Sequence, residues 1–195
     1  METGKIHIKN MVCPRCIMSV REIFRKNGIE PAEVDLGTVT LDSEAQEKIA
    51  SGDALIGQIK RNLEELGFEM IDDKRMQIVE SIRTGVIEFV HNPEIQDNTK
   101  LSEYLQRKCL KEYSALSKLF TEIKGMTIEK YCILQKVEYV KELLFYGELS
   151  VSEIADMLHY SSVAHLSAQF KSVTGISPTR FRQMKDKPLT SIDSF

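Results

Sequence analysis

Residues 150–178 read SVSEIADMLHYSSVAHLSAQFKSVTGISP, and their reading decides the architecture of half the chain. Ser150 followed three residues later by Glu153 is a capping-box pattern, in which each side chain satisfies the other residue's backbone N–H at a helix start. Ile154, Ala155 and Leu158 then share one helical face. Tyr160-Ser161-Ser162 supplies a turn and a serine to cap the next helix. That second helix carries Leu166 and Phe170 on its inner face and stops at Gly175. Ser177-Pro178 starts a further helix, because Pro is tolerated at the first helical position. The predicted unit is therefore helix, tight turn, helix.

The same unit occurs earlier in the chain. Leu116, Ser117, Phe120 and Gly125 recur as Leu166, Ser167, Phe170 and Gly175, every time at an offset of 50. Thr127 and Ser177, Tyr131 and Phe181, and Ser102-Glu103 and Ser152-Glu153 keep that offset without a gap. The first copy is expected as Leu101–Lys108, a turn near Lys111-Glu112, then Tyr113–Lys124. Between the copies, Thr127 to Tyr146 is 20 residues without Gly or Pro, with Ile133, Val137, Val140 and Leu144 at helical spacing. A helix of that length spans about 30 Å, and two reading helices on one face of a B-form duplex sit about 34 Å apart. Two copies are fewer than the roughly three that a stacked solenoid needs. The outward residues Ser114, Ser117 and Lys118 of one copy, and His165 and Ser167 of the other, can donate to bases or phosphates. The spacing and these donors together point to double-stranded DNA.

Residues 101–183 resemble the DNA-binding region of the AraC/XylS family of transcription activators. The resemblance is carried by Ser152-Glu153-Ile154-Ala155, Tyr160-Ser161-Ser162, His165-Leu166-Ser167, Phe170-Lys171, Thr174-Gly175-Ile176-Ser177-Pro178 and Phe181-Arg182. It implies seven helices with readers on the third and sixth. By position it implies Ser114, Ser117, Lys118, Val163, Ala164, His165 and Ser167 as base-facing residues. Lys111, Lys171, Arg180 and Arg182 are then phosphate contacts, which position a protein without specifying sequence. Two departures stand out. Ala168 occupies a position where the family often has a basic reader, leaving Val163 and Ala164 to touch thymine methyl groups. His159 occupies the turn position that is usually Gly.

Charge divides along the same line. Residues 1–98 hold 12 Lys/Arg against 18 Asp/Glu, and residues 99–195 hold 14 against 11, so a net charge of −3 separates into −6 and +3. A basic surplus in one half suits contact with a polyanion. Met1-Glu2-Thr3-Gly4-Lys5 lacks the basic and apolar regions of a secretory signal, and no apolar run nears the roughly 20 residues of a membrane span. A cytoplasmic protein is expected. Its four cysteines are then unlinked thiols, with Cys109 and Cys132 packed as small apolar residues.

The acidic half has a different periodicity. Ile6 and Ile8 alternate in a strand; Ile17, Val20 and Phe24 mark a helix ending at Asn27-Gly28. Val34, Leu36, Val39 and Leu41 form a hairpin around Gly37-Thr38. Ile56, Ile59, Leu63 and Leu66 mark a second helix ending at Gly67, and Phe68, Met70 and Ile71 a last strand. The order βαββαβ is that of a ferredoxin-like sandwich. Met11-Val12-Cys13-Pro14-Arg15-Cys16 joins the first strand to a helix N-terminus, which stabilises thiolates. Two soft sulfurs at that spacing suit Cu(I) or Zn. This segment resembles the heavy-metal-associated domain family, with its Met-x-Cys-x-x-Cys loop. Asn10 replaces the usual Gly there, and Asp42 to Asp53 is longer than the family norm. For Zn, two thiolates fall short of four ligands, so His7 or a second subunit would have to contribute; Met11 belongs to the core.

The expected organisation is a metal-sensing domain over 1–73, a connecting helix and linker over 74–98, a DNA-binding domain over 99–186 and a flexible tail over 187–195. Val79, Ile82, Val86 and Phe89 mark the connecting helix, which Asn92-Pro93 stops. The fold class is an α+β ferredoxin-like domain followed by an all-α domain with two helix-turn-helix units. The reading is a transcription regulator responsive to a thiophilic metal such as Cu(I) through Cys13 and Cys16. It would act on double-stranded DNA with RNA polymerase as a further partner, as a monomer or homodimer. A dithiol redox response, and an accessory protein whose helical half binds protein, are the alternatives. No carboxylate pair, nucleophile–base pair or phosphate loop is present, so an enzyme is not expected beyond a dithiol oxidoreductase.

Overall fold

The computed structural model describes residues 4–184; the tail expected at 187–195 lies outside the described residues. The chain forms two compact units, Met1–Thr84 and Gly85–Phe195.

In the first unit the order is β1 (Gly4–Lys9), α1 (Pro14–Lys26), β2 (Glu33–Asp35), β3 (Thr38–Leu41), α2 (Ser43–Ala50), α3 (Asp53–Glu65) and β4 (Glu69–Ile71). The strands form one sheet in the order β2-β3-β1-β4, with every pair antiparallel. Ile6 faces Val39 across β1 and β3, and Ile8 faces Met70 across β1 and β4. Ile8, Met11, Val20, Phe24, Val39, Ile59 and Leu63 are sealed from solvent in the core between sheet and helices. The hairpin turns on Gly37, whose φ of +81° suits a residue without Cβ; a Cβ there would lie 2.9 Å from Thr84 Cγ2.

The helix α2 is absent from the sequence reading, which saw residues 42–53 only as a long stretch. It is short and lacks a strong apolar stripe, but its ends explain it. Asp42 accepts a hydrogen bond from the Ala45 N–H at 2.8 Å, capping the helix. Glu44 and Lys48 pair one turn apart, and Ala45 and Ile49 pack on the core.

α4 (Lys74–His91) begins where Asp73 accepts from the N–H groups of Arg75 and Met76. The boundary between the compact units falls inside this helix, between Thr84 and Gly85, so it contributes residues to both. In the second unit follow α5 (Pro93–Asn98), α6 (Leu101–Cys109), α7 (Tyr113–Lys124), α8 (Ile128–Tyr146), α9 (Val151–Met157), α10 (Val163–Thr174) and α11 (Pro178–Gln183). Residues 101–183, where the resemblance implies seven helices, hold six, α6 to α11, and α5 lies in the stretch expected as linker.

The sequence repeat is a structural repeat. Phe120 and Tyr131 pack with ring centroids 5.5 Å apart, and their counterparts Phe170 and Phe181 at 5.6 Å. Leu105, Leu116, Phe120, Ile128 and Tyr131 are fully buried in the first copy, as are Ile154, Leu158 and Leu166 in the second. Gly125 and Gly175 both end their helices in the left-handed conformation. The predicted capping box is complete: the Glu153 N–H donates to Ser150 Oγ at 3.2 Å, and the Ser150 N–H to Glu153 Oε2 at 2.7 Å. The turns differ between copies. Leu110 (φ +51°) stands three residues before α7, and His159 (φ +54°) four before α10. His159 thus takes the backbone conformation that Gly would take at no cost.

Candidate nucleic-acid interface and thiol loop

α7 and α10 bury one face each and leave the other open. Leu116 and Phe120 fix α7, and Leu166 and Phe170 fix α10. On the open face of α7, Ser114 and Lys118 are exposed and Ser117 is partly covered. On α10, Val163, Ala164 and His165 are exposed, Ser167 is partly covered, and Ala168 is exposed. Every base-facing residue inferred from the sequence therefore lies at the surface of its helix. Lys111 stands exposed just before α7, Lys171 in the last turn of α10, and Arg180 in α11. Arg182 differs. It is half-buried, and its Nη2 donates to the Leu149 carbonyl, tying α11 to the loop before α9. That bond commits one edge of the guanidinium to the fold.

Several contacts hold the entrance to α10. Ser162 Oγ caps the helix by accepting from the His165 N–H at 3.1 Å. Ser161 Oγ lies 3.1 Å from His165 Nδ1. The Tyr160 ring meets the His165 imidazole edge-on, 5.2 Å between centroids at 82°. Tyr160 is held in turn: its hydroxyl donates to Gln169 Oε1 at 2.7 Å, and Lys136 Nζ lies 5.6 Å above its ring while donating to the Leu158 carbonyl.

In the first unit, the loop before α1 is shaped by Asn10 and Met11. Asn10 takes φ +71°, a left-handed conformation that Asn tolerates better than most residues. Its N–H donates to Glu80 Oε1 at 3.2 Å and its Nδ2 to the Gly67 carbonyl at 2.8 Å. Met11 is fully buried, a core residue rather than a ligand. Cys13 and Cys16 are half-buried with sulfurs 3.3 Å apart. Burial pushes the Cys13 thiol up, but hydrogen bonds from the Cys16 side chain and from the Cys16 and Arg15 backbone, with the charge of Arg15, hold it below its ordinary value. Burial wins at Cys16, and the neighbouring Cys13 adds to the rise. Cys13 is thus the more acidic of the two thiols. Among the described residues no group of three or more His, Cys, Asp and Glu is assembled for a metal, so His7 does not join the two sulfurs. Burial also drives the Cys109 and Cys132 thiols up to about 11, as suits packing residues.

A helix-turn-helix domain family matches residues 105–184, the stretch holding α7 and α10. Residues 105–184 are thus similar to an AraC-type helix-turn-helix domain. The chain is also similar to an HTH-type transcriptional regulator of Bacillus subtilis (strain 168), the uncharacterized protein YtdP, with 26% identity over 105 residues. The match takes in 54% of this chain and 13% of that relative. No solved structure matches the chain. No helix among the described residues is long and apolar enough to cross a membrane.

Within the helix-turn-helix domain, sequence reasoning missed Tyr160, Ser161, Gln169 and Lys136 as the residues that support the α10 surface. Ser161 and His165 are four apart, as are His165 and Gln169, which puts each pair within reach once a helix start is placed at Val163. Lys136 had no such signal, since it arrives from the spacer helix. Glu80 likewise reaches Asn10 across 70 residues of sequence.

Proposed function

We propose that this chain is a cytoplasmic, sequence-specific DNA-binding transcription regulator whose N-terminal unit responds to a thiophilic metal through Cys13 and Cys16. The helix-turn-helix domain match over α7 and α10 carries the DNA reading. The open faces of both helices support it, with Lys111, Lys118, Lys171 and Arg180 exposed on or beside them. Base contacts would come from Ser114, Ser117, Lys118, Val163, Ala164, His165 and Ser167, while Lys111, Lys171, Arg180 and Arg182 would meet phosphates.

The sheet order β2-β3-β1-β4 with helices between the strands supports a ferredoxin-like sandwich for the first unit. The chemistry of its loop suits a soft, low-coordinate ion: two adjacent sulfurs, one already inclined to thiolate, at a helix N-terminus. Cys13 and Cys16 would hold Cu(I), which supplies an affinity for two thiolates. The same residues do not fit a four-ligand Zn site within one chain. The 3.3 Å sulfur separation also favours a second reading, a dithiol switch in which the pair loses two protons and two electrons to an external disulfide.

Salt dependence tests the DNA reading. Affinity for duplex DNA should fall steeply between low and physiological salt as phosphate contacts are screened, and Lys118→Ala should weaken binding by about 1–3 kcal/mol. Salt-independent binding, or none, would refute it. For the loop, Cu(I) titrated into wild type and a Cys13→Ser/Cys16→Ser variant should separate the two proteins; equal affinities would remove the metal.

A further inference from the structure

We infer that Ser161 determines what His165 reads, by locking the inner nitrogen of the imidazole so that the outer one is presented as a hydrogen-bond donor. This rests on the DNA-binding reading of α10. His165 is exposed in the first turn of the helix, yet its ring is restrained on two sides. Tyr160 meets it edge-on at 5.2 Å, and Ser161 Oγ engages Nδ1 at 3.1 Å. Tyr160 cannot easily turn away, because Gln169 holds its hydroxyl and Lys136 covers its ring. An exposed side chain normally samples several rotamers, and that freedom must be given up on binding. Here the ring is ordered in advance.

The chemistry of the contact sets the polarity of the remaining nitrogen. A neutral imidazole has one N–H and one acceptor nitrogen, and the partner of one nitrogen selects the state of the other. Neutral imidazole side chains intrinsically favour the proton on Nε2, and a serine hydroxyl is free to donate to Nδ1. The pair therefore settles with Ser161 Oγ–H donating to Nδ1 and Nε2–H directed at a ligand. Adenine and thymine each offer one acceptor on the major-groove edge, whereas guanine offers two, N7 and O6, with no donor beside them, so a lone donor is met best by guanine. Ser161 makes no base contact in this scheme; it is a positioning residue acting through His165. The neighbouring Ser162 is independent of it, since Ser162 Oγ is occupied by the His165 backbone N–H.

The test is selection of bound duplexes from a randomised library by the full chain, comparing wild type with His165→Ala, Ser161→Ala and Ser161→Thr, alongside their melting temperatures. Wild type should enrich a motif containing one guanine whose preference over other bases is roughly two- to tenfold, as suits a single neutral hydrogen bond. His165→Ala should lose the preference at that position alone. Ser161→Ala should lose most of it at the same position with an unchanged melting temperature, and Ser161→Thr, which keeps a hydroxyl, should restore it. Ser161→Ala selecting the wild-type motif would overturn the inference. So would a loss that Ser161→Thr does not restore, a loss spread evenly across the motif, or a His165-dependent position that prefers a base other than guanine. A wild-type chain that enriches no motif would overturn the DNA reading itself, and this inference with it.

Discussion

Cys13 and Cys16 are the same residue type three positions apart, and their surroundings make them chemically unequal. Cys16 lies deeper and burial raises its pKa, while the contact with Cys16, backbone hydrogen bonds and Arg15 lower that of Cys13. Reactivity follows thiolate population, so limiting iodoacetamide at neutral pH should modify Cys13 before Cys16. Peptide mass spectrometry checks the order, and the reverse order would contradict the assignment. Ser150 is another residue whose worth is local. Its hydroxyl satisfies the Glu153 N–H at the start of α9, so Ser150→Ala should cost about 1 kcal/mol in chemical denaturation. Both features were readable in the sequence as motifs, whereas the inequality of the two sulfurs was not, because it depends on which one the fold covers.

Several helix ends in the C-terminal half were legible because caps and glycines are local signals. Thr127, Ser150, Ser162 and Ser177 each accept from the N–H three residues on, and Gly125, Gly147 and Gly175 close their helices. α8 shows where such signals stop. Its apolar residues Val137, Val140 and Leu144 are buried as the spacing predicts, but so are Gln135, Glu138 and Lys141. Lys141 donates to both Glu138 oxygens, at 2.7 and 2.8 Å, which lets two charges one turn apart enter the interior together. The same applies to α4 against α6. A Cβ on Gly85 would lie 2.7 Å from Leu105 Cδ2 and 3.0 Å from Lys108 Cδ. Close approach brings Lys108 and Tyr104 onto Glu88, each at 2.6 Å. Gly85→Ala gains helix propensity but forces the contact apart. We expect a net loss of about 1–3 kcal/mol, measured by denaturant unfolding; a stabilised variant would show that the helices yield freely.

Each compact unit contains a histidine that folding makes harder to protonate. Burial lowers the pKa of His91 in the second unit, where its ring packs on Tyr139 at 4.0 Å. Burial, with the charge of Lys5, lowers that of His7 in the first. The unfolded chain protonates these groups near the ordinary value of 6.5, while the folded units resist until lower pH. Their contribution to stability is therefore complete above that value and is lost as pH falls below it. Melting temperature should decline between about pH 7.5 and pH 5.5, and His91→Phe should flatten part of the decline. A pH-independent melting temperature would show that neither ring is sheltered.

The sequence by itself determined what is encoded within a turn or two of chain: the caps, the glycine stops, the apolar stripes and the thiol loop. It also determined the duplication, because two copies at a constant offset of 50 expose their shared core positions to direct comparison. The tertiary structure decided what depends on meetings across long stretches of chain. It made a helix of residues 43–50, whose apolar stripe is too thin to announce it. It placed Glu80 against Asn10 and Lys136 over Tyr160. It turned Arg182, read as a phosphate contact, onto the Leu149 carbonyl. Periodicity reports which face of an element is apolar, but only packing decides which polar atom finds which partner, since a buried donor must be satisfied by whatever element the fold brings near.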